Sequence, residues 1–268
     1  MSIAAIQMTS GADVAANLAV AGDLLQQAAR SGARLAVLPE NFAFMGLKDA
    51  DKLAVAEAPG EGPIQERLAE LASRLGLWIV AGTIPLKVAD SARVAQASLV
   101  YDAAGQQRAR YDKIHLFDVD LPGRKESYRE SENSEPGRQP VVVDTPLGRV
   151  GLSVCYDMRF PELYRQLSAQ GAQILLMPSA FTVPTGQAHW EVLLRARAVE
   201  NLCYVVAAAQ WGRHPSGRET YGDSLVVDFW GRVLARRAQG VGIVSAKIDL
   251  AAQAEARATF PALRHRVL

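Results

Sequence analysis

The sequence predicts an α/β fold. Short apolar runs alternate with helical patterns along the whole chain, and polar or ionisable residues stand directly behind the ends of several of those runs. Nearly half of the 268 residues are hydrophobic (49%), which excludes a disordered or fibrous chain and supplies a large core. Lys and Arg number 29 against 28 Asp and Glu, so the net charge is +1 and no global field exists to hold a polyanion or an anionic membrane. Nucleic acid and membrane partners are therefore not expected.

Residues 3–8 read as a strand, 14–30 as an amphipathic helix closed by Gly32, and 34–38 as a strand that stops at Pro39; together they form one β-α-β unit. A helix over 64–75 ends at Gly76, and 78–84 reads as a buried strand. Residues 98–101 and 108–111 flank a Gly-containing turn and predict a hairpin, so the strands are not all parallel. From 113 to 140 charged residues, Pro and Gly dominate, giving a long loop of the kind that is usually functional inside a compact domain. Strand 150–154, helix 161–170, strand 174–177, helix 189–201 and strand 203–208 restore the alternation. Strands 224–228 and 232–235 flank the turn Phe229-Trp230-Gly231, and a strand over 243–248 precedes a final short helix. With no repeat, low-complexity tract or linker, residues 1–268 read as a single domain.

The two cysteines, Cys155 and Cys203, make no disulfide framework and read as reduced thiols inside apolar strand-like runs, as in a cytoplasmic protein. The first residues carry no basic start, and no run reaches the ~18 apolar residues of a membrane span.

Three runs place a chemically useful group at a strand end, where open α/β sheets display reactive side chains: Leu38-Pro39-Glu40, Tyr111-Asp112-Lys113 and Val154-Cys155-Tyr156-Asp157. Cys155 stands between a strand and Pro161 at the start of a helix. Such a turn can expose a nucleophile and aim backbone N–H groups at an oxyanion. Taken alone, Cys155 reads also as a small buried core residue, as Cys203 does beside Tyr204-Val205-Val206. Glu40 is a base for a thiol or a turn charge, and Lys113 alone is an ordinary surface cation. The four histidines, His115, His189, His214 and His265, lack metal-ligand spacing, so no metal site is predicted.

In this order, Leu38-Pro39-Glu40, the block from Tyr111 to Asp118 and the block from Val154 to Glu162 resemble the three signature blocks of the nitrilase superfamily of carbon–nitrogen hydrolases. Pro178-Ser179-Ala180-Phe181, Tyr221-Gly222-Asp223-Ser224 and Asp228-Phe229-Trp230-Gly231 extend the likeness nearly end to end. The resemblance implies an α-β-β-α sandwich and a triad of Glu40, Lys113 and Cys155 that uses no metal and no cofactor. Glu40 would take the thiol proton, Cys155 would attack an amide carbon, and Lys113 with the Tyr156 N–H would hold the oxyanion. A second family carboxylate near the Lys is matched by Glu130, with Glu126 and Glu132 as neighbouring alternatives. Arg159 matches an Arg that grips a substrate carboxylate in related carbamoyl amino acid hydrolases, the alternative being an ion pair with Asp157 or Glu162. His189, Trp190 and Tyr221 are placed at the pocket border, with a core alternative for Trp190. Glu191 and Arg195, four apart on a helix, read as an intrahelical pair.

Within the superfamily, residues 207–214 and Tyr221-Gly222 resemble the deaminated glutathione amidases, while residues 113–123 resemble the ω-amidases of 2-oxoglutaramate almost as well. The resemblance thus implies a small carboxylated amide as substrate, deaminated glutathione before 2-oxoglutaramate, and a homodimer or larger homo-oligomer. A nitrile-converting enzyme with the same triad, a papain-like Cys–His protease and a non-catalytic binding module are the competing readings.

Overall fold

Asp13 caps the first helix: its carboxylate accepts the Ala16 N–H, and α1 (Val14–Arg30) runs from there to a turn at Gly32. In this computed structural model, which describes residues 1–120 and 126–267, α1 joins β1 (Ser2–Gln7) to the parallel β2 (Ala33–Val37). α2 (Pro63–Leu75) opens with Pro at its first position and closes on Gly76 in the left-handed conformation. It leads to β3 (Trp78–Val80), β4 (Ile84–Lys87), β5 (Val94–Tyr101) and β6 (Gln107–Asp112). The following segment carries β7 (Asp118–Asp120), β8 (Ser127–Arg129) and β9 (Ser134–Glu135).

A second sheet takes the order β10 (Val142–Thr145), β11 (Gly148–Leu152), β12 (Ile174–Ser179), β13 (Tyr204–Ala209), then, past the hairpin β14 (Trp211–Arg213) and β15 (Glu219–Tyr221), β16 (Ser224–Val227) and β17 (Val233–Arg237). α3 (Pro161–Ala169) and α4 (Val183–Asn201) are its crossovers. The last strand, β18 (Gly242–Lys247), returns to the first sheet antiparallel to β1, giving the order β18-β1-β2-β3-β5-β4 with β6 and β9 also paired to β5, and α5 (Leu250–Thr259) follows.

Alternate side chains of a strand face opposite ways, and both faces of β1 are covered. Ile3 and Ala5 enter the core between the sheets, whereas Ala4 and Ile6 enter the core beneath α1 and α2. That is why residues 3–6 are apolar throughout instead of alternating. Each fully buried Ile here is worth roughly 1.5–3 kcal/mol relative to exposure. β1 crosses β13 and β16, α1 and α2 cover the outer face of the first sheet, and α3 and α4 cover that of the second. The architecture is the α-β-β-α sandwich.

Several elements differ from the sequence reading. The strand expected over 78–84 breaks after Val80, because the chain bends at Gly82 (φ +41°), where a Cβ would lie 1.8 Å from the Pro39 carbonyl oxygen. The helix expected from residue 189 begins at Val183. Gly186 does not end it; the Tyr221 ring fills the space a Cβ would need there. Within 113–140 the hairpin β7–β8, a 3₁₀ turn (Glu130–Glu132) and β9 replace an unstructured loop, residues 121–125 lying outside the described residues. Neither cysteine lies in a strand: Cys155 follows β11 and Cys203 precedes β13. Among the described residues no helix is long and apolar enough to cross a membrane.

Candidate active site

Glu40 is held by its backbone on both sides. Leu38 N–H bonds to the Val80 carbonyl (2.9 Å), Asn41 N–H to Thr83 Oγ1 (2.9 Å), and the buried Gln210 amide donates to the Glu40 carbonyl (3.0 Å). Lys113 leaves the end of β6, with its N–H on the Gln96 carbonyl (3.0 Å) and its own carbonyl accepting the Gly137 N–H (2.8 Å). Cys155 opens a 3₁₀ turn (Cys155–Arg159) between β11 and α3, at φ +48°, a conformation few non-Gly residues adopt.

One buried carboxylate braces that turn. Asp157 Oδ2 accepts the Val154 N–H (2.8 Å) and the Tyr111 hydroxyl (2.7 Å), while Oδ1 accepts the His115 N–H (3.0 Å) and lies 2.7 Å from His115 Nδ1. The thiol turn is thereby tied to the segment carrying Lys113. Sequence reasoning weighed Asp157 only as a partner for Arg159.

The three strand-end groups meet. Lys113 Nζ lies 2.8 Å from Glu40 Oε1 and 2.8 Å from Glu130 Oε2, and Glu130 also accepts the Phe117 N–H (2.7 Å). Of the three neighbouring glutamates, Glu130 is the one bonded to Lys113; Glu126 accepts the Tyr128 hydroxyl, 3.1 Å away. Cys155 and Ala180 line the same cavity as Glu40 and Lys113.

Burial pushes the Glu40 carboxyl up, but the charge and hydrogen bond of Lys113, helped by the Cys155 hydrogen bond, leave it below the ordinary carboxylate range. At Lys113 burial favours the neutral amine, and the charges of Glu130 and then Glu40 overcome it, holding the ammonium well above its ordinary value. At Cys155 burial and the charge of Glu40 push the thiol up, with Lys113 and the Ala180 N–H offsetting only part. At neutral pH the cluster is carboxylate, ammonium and thiol. The Lys113 ammonium contacts one Glu40 oxygen and both Glu130 oxygens, the second of these at 3.1 Å.

All four residues line one cavity of about 460 Å³ together with Tyr156 and Arg159. The Arg159 guanidinium lies 5.8 Å from the Tyr156 ring centre and 5.7 Å from that of Phe181, and its Nη atoms are 3.3 Å from His189 Nδ1. Among the described residues no ion pair joins it to Asp157 or Glu162. Of the expected border residues, His189 meets the cavity only through Arg159. Trp190 is core: it is buried behind Phe181 (5.0 Å between ring centres) and donates to the Asp223 carbonyl (2.8 Å). Tyr221 packs on Gly186 and faces a different depression. Glu191 and Arg195 do pair within the helix, 3.6 Å apart. Phe117, Tyr128 and Arg218 also line the cavity and were not singled out by sequence. Arg218 comes from the β14–β15 hairpin, whose short strands carry no period long enough to read.

Residues 2–258 match the family described as Carbon-nitrogen hydrolase. A deaminated glutathione amidase from Yersinia enterocolitica is 42% identical over 265 residues, covering 98% of this chain and 92% of that protein. The crystal structure of the NitFhit protein of C. elegans superposes with a TM-score of 0.92 at 43% identity, covering 99% of this chain but only 65% of that one. The crystal structure of Saccharomyces cerevisiae Nit3, described as a member of branch 10 of the nitrilase superfamily, gives 0.90 at 31% identity over 100% of this chain and 97% of that one. The fold, the end-to-end match and the agreement with these relatives establish that the chain belongs to the carbon–nitrogen hydrolase family.

Proposed function

We propose that this chain is an amidase that cleaves deaminated glutathione through an acyl-enzyme on Cys155. The observation that carries the chemistry is the buried contact of Lys113 with Glu40 and Glu130 in the cavity that the Cys155 thiol also lines. The substrate follows from the relatives' names and from a cavity that joins this cluster to an Arg.

Glu40 takes the proton from Cys155 as sulfur attacks the scissile carbonyl carbon. The oxyanion forms against the Lys113 ammonium and the Tyr156 N–H at the start of the turn. Glu40 then returns the proton to the departing amide nitrogen, the C–N bond breaks, and the dipeptide leaves as an amine with the 2-oxo acid held as a thioester. A water, deprotonated by Glu40, attacks the thioester; the thiolate leaves and recovers the proton. Lys113 stays charged throughout, and Glu130 holds it in place. Arg159 grips the carboxylate of the acyl portion.

The test is turnover of deaminated glutathione with intact-mass detection of a 2-oxoglutaryl adduct on Cys155. The adduct is expected with the native chain and absent from C155A. A kcat/KM for deaminated glutathione less than about tenfold above that for 2-oxoglutaramate removes the substrate assignment. Turnover that survives replacement of Glu40, Lys113 and Cys155 one at a time removes the mechanism.

We further infer that residues 1–268 act as one catalytic unit in the cytoplasm, a reducing compartment that keeps Cys155 free. We assign a homodimer to the exposed apolar surface of Val192, Val199, Trp230 and Phe260, where Trp230 and Phe260 rings lie 5.6 Å apart.

A further inference from the structure

Several cations line the cavity, and they differ in what they hold. Lys52 pairs with Asp49 (2.6 Å), Arg129 with Asp120 (2.9 Å), and Lys113 with its two glutamates. Arg159, Arg218 and Lys48 have no carboxylate ion pair among the described residues, and of these the two arginines carry a guanidinium. Arg218 gives one N–H to the Ala180 carbonyl (2.7 Å), and its buried Nε has no acceptor among the described residues. A guanidinium carries five donors in a fork that matches a carboxylate, and a donor left unpaired away from water is costly.

The two guanidiniums share a cavity with the thiol. Along one arc of the wall the contacts run from Arg159 to Tyr156 (5.8 Å), Phe117 (5.1 Å), Tyr128 (5.1 Å) and Arg218 (5.3 Å), so three rings separate the cations. Along the other arc, Ala180-Phe181 stands between them: Arg159 lies over Phe181, and Arg218 bonds to Ala180. Cys155 lines the same cavity as both arginines and Ala180, next to Tyr156 in the chain and on the turn that carries Arg159.

We propose that Arg218 is a specificity-determining residue that receives the terminal carboxylate of the departing peptide. The proposal rests on the deaminated glutathione reading above. That substrate carries a carboxylate at each end of a linear molecule, one on the acyl part and one on the leaving dipeptide, with the scissile amide between them. The side is set by Glu40, which must reach the leaving nitrogen. Arg218 lines the cavity with Glu40 and lies on the hairpin that follows Gln210, whose amide donates to the Glu40 carbonyl, so it stands on the leaving-group side. It also belongs to the β14–β15 hairpin, whose tip residues Ser216 and Gly217 are exposed, at a rim from which a product can depart. Arg159 shares the turn of Cys155 and serves the acyl end. The enzyme thus selects amides with a carboxylate on both sides of the bond over those that release ammonia.

The test measures kcat/KM for deaminated glutathione, for its glycinamide analogue, in which the terminal carboxylate is a neutral amide, and for 2-oxoglutaramate. The native chain is expected to prefer the free acid over the glycinamide by roughly ten- to a hundredfold, mainly through KM. Arg218→Gln is expected to abolish that preference and to lower the ratio of deaminated glutathione to 2-oxoglutaramate by the same factor, with Arg218→Lys restoring part. Equal use of free acid and glycinamide by the native chain overturns the assignment, as does a preference that survives Arg218→Gln. So does an equal loss on all three substrates in both variants, which marks a structural role. If the native chain fails to cleave deaminated glutathione at all, the functional reading falls with it; if cleavage is intact and only the preference is missing, the Arg218 assignment falls alone.

Discussion

Glu40 is a buried carboxyl that stays ionised because Lys113 touches it, and this decides how the thiol is activated. With the carboxyl held low and the thiol pushed high, the site favours the protonated thiol before substrate arrives. Glu40→Gln is expected to lower kcat by about 10²–10⁴ while leaving the far-UV signal intact, measured by single-turnover acylation. The pH dependence follows from the same directions. Glu40 loses its charge only as pH falls through a value below 4.5, whereas Lys113 loses its proton well above 10.5. A kcat/KM profile that is flat from about pH 6 to 9 is expected, and a limb near pH 7 in that profile contradicts the assignment. Glu40 and Cys155 were legible in the sequence because each stands behind an apolar run inside a recognisable block, and Lys113 because it directly follows a strand inside such a block. Arg218 was not, because nothing local marks a hairpin Arg as pointing into a cavity.

The elements that carry these residues are bent rather than regular at the points that matter. The turn Cys155–Arg159 keeps its conformation through Asp157, which meets four groups from two segments. Asp157→Ala leaves several buried donors unpaired; a loss of about 3 kcal/mol or more is expected, read as a fall in Tm of about 6–12 °C, with reduced kcat. Gly82→Ala sets a methyl against the Pro39 carbonyl that precedes Glu40. It is expected to cost about 2 kcal/mol or more and to lower kcat/KM at least roughly tenfold, by calorimetry and kinetics. Long periodic elements such as α1 and α2 were readable to within a residue, since capping and an amphipathic stripe are local properties. The start of α4 was not, because what lets Gly186 sit inside a helix is the Tyr221 ring, thirty-five residues away in sequence.

At the scale of the molecule, the sandwich was visible as alternation, but the pairing of the sheets was not, because it depends on contacts such as β1 across β13 that no window of sequence contains. The exposed apolar surface around Trp230 makes a prediction of its own: if it forms the proposed homodimer, Val199→Glu or Trp230→Glu is expected to leave only monomer in analytical ultracentrifugation. Glu40 and Lys113 follow strands of one sheet and Cys155 a strand of the other. Turnover is therefore a gauge of how the two halves are seated on each other, sensitive to a slip of an ångström that would leave every strand and helix intact. In mild urea, catalysis should fade before circular dichroism registers any change.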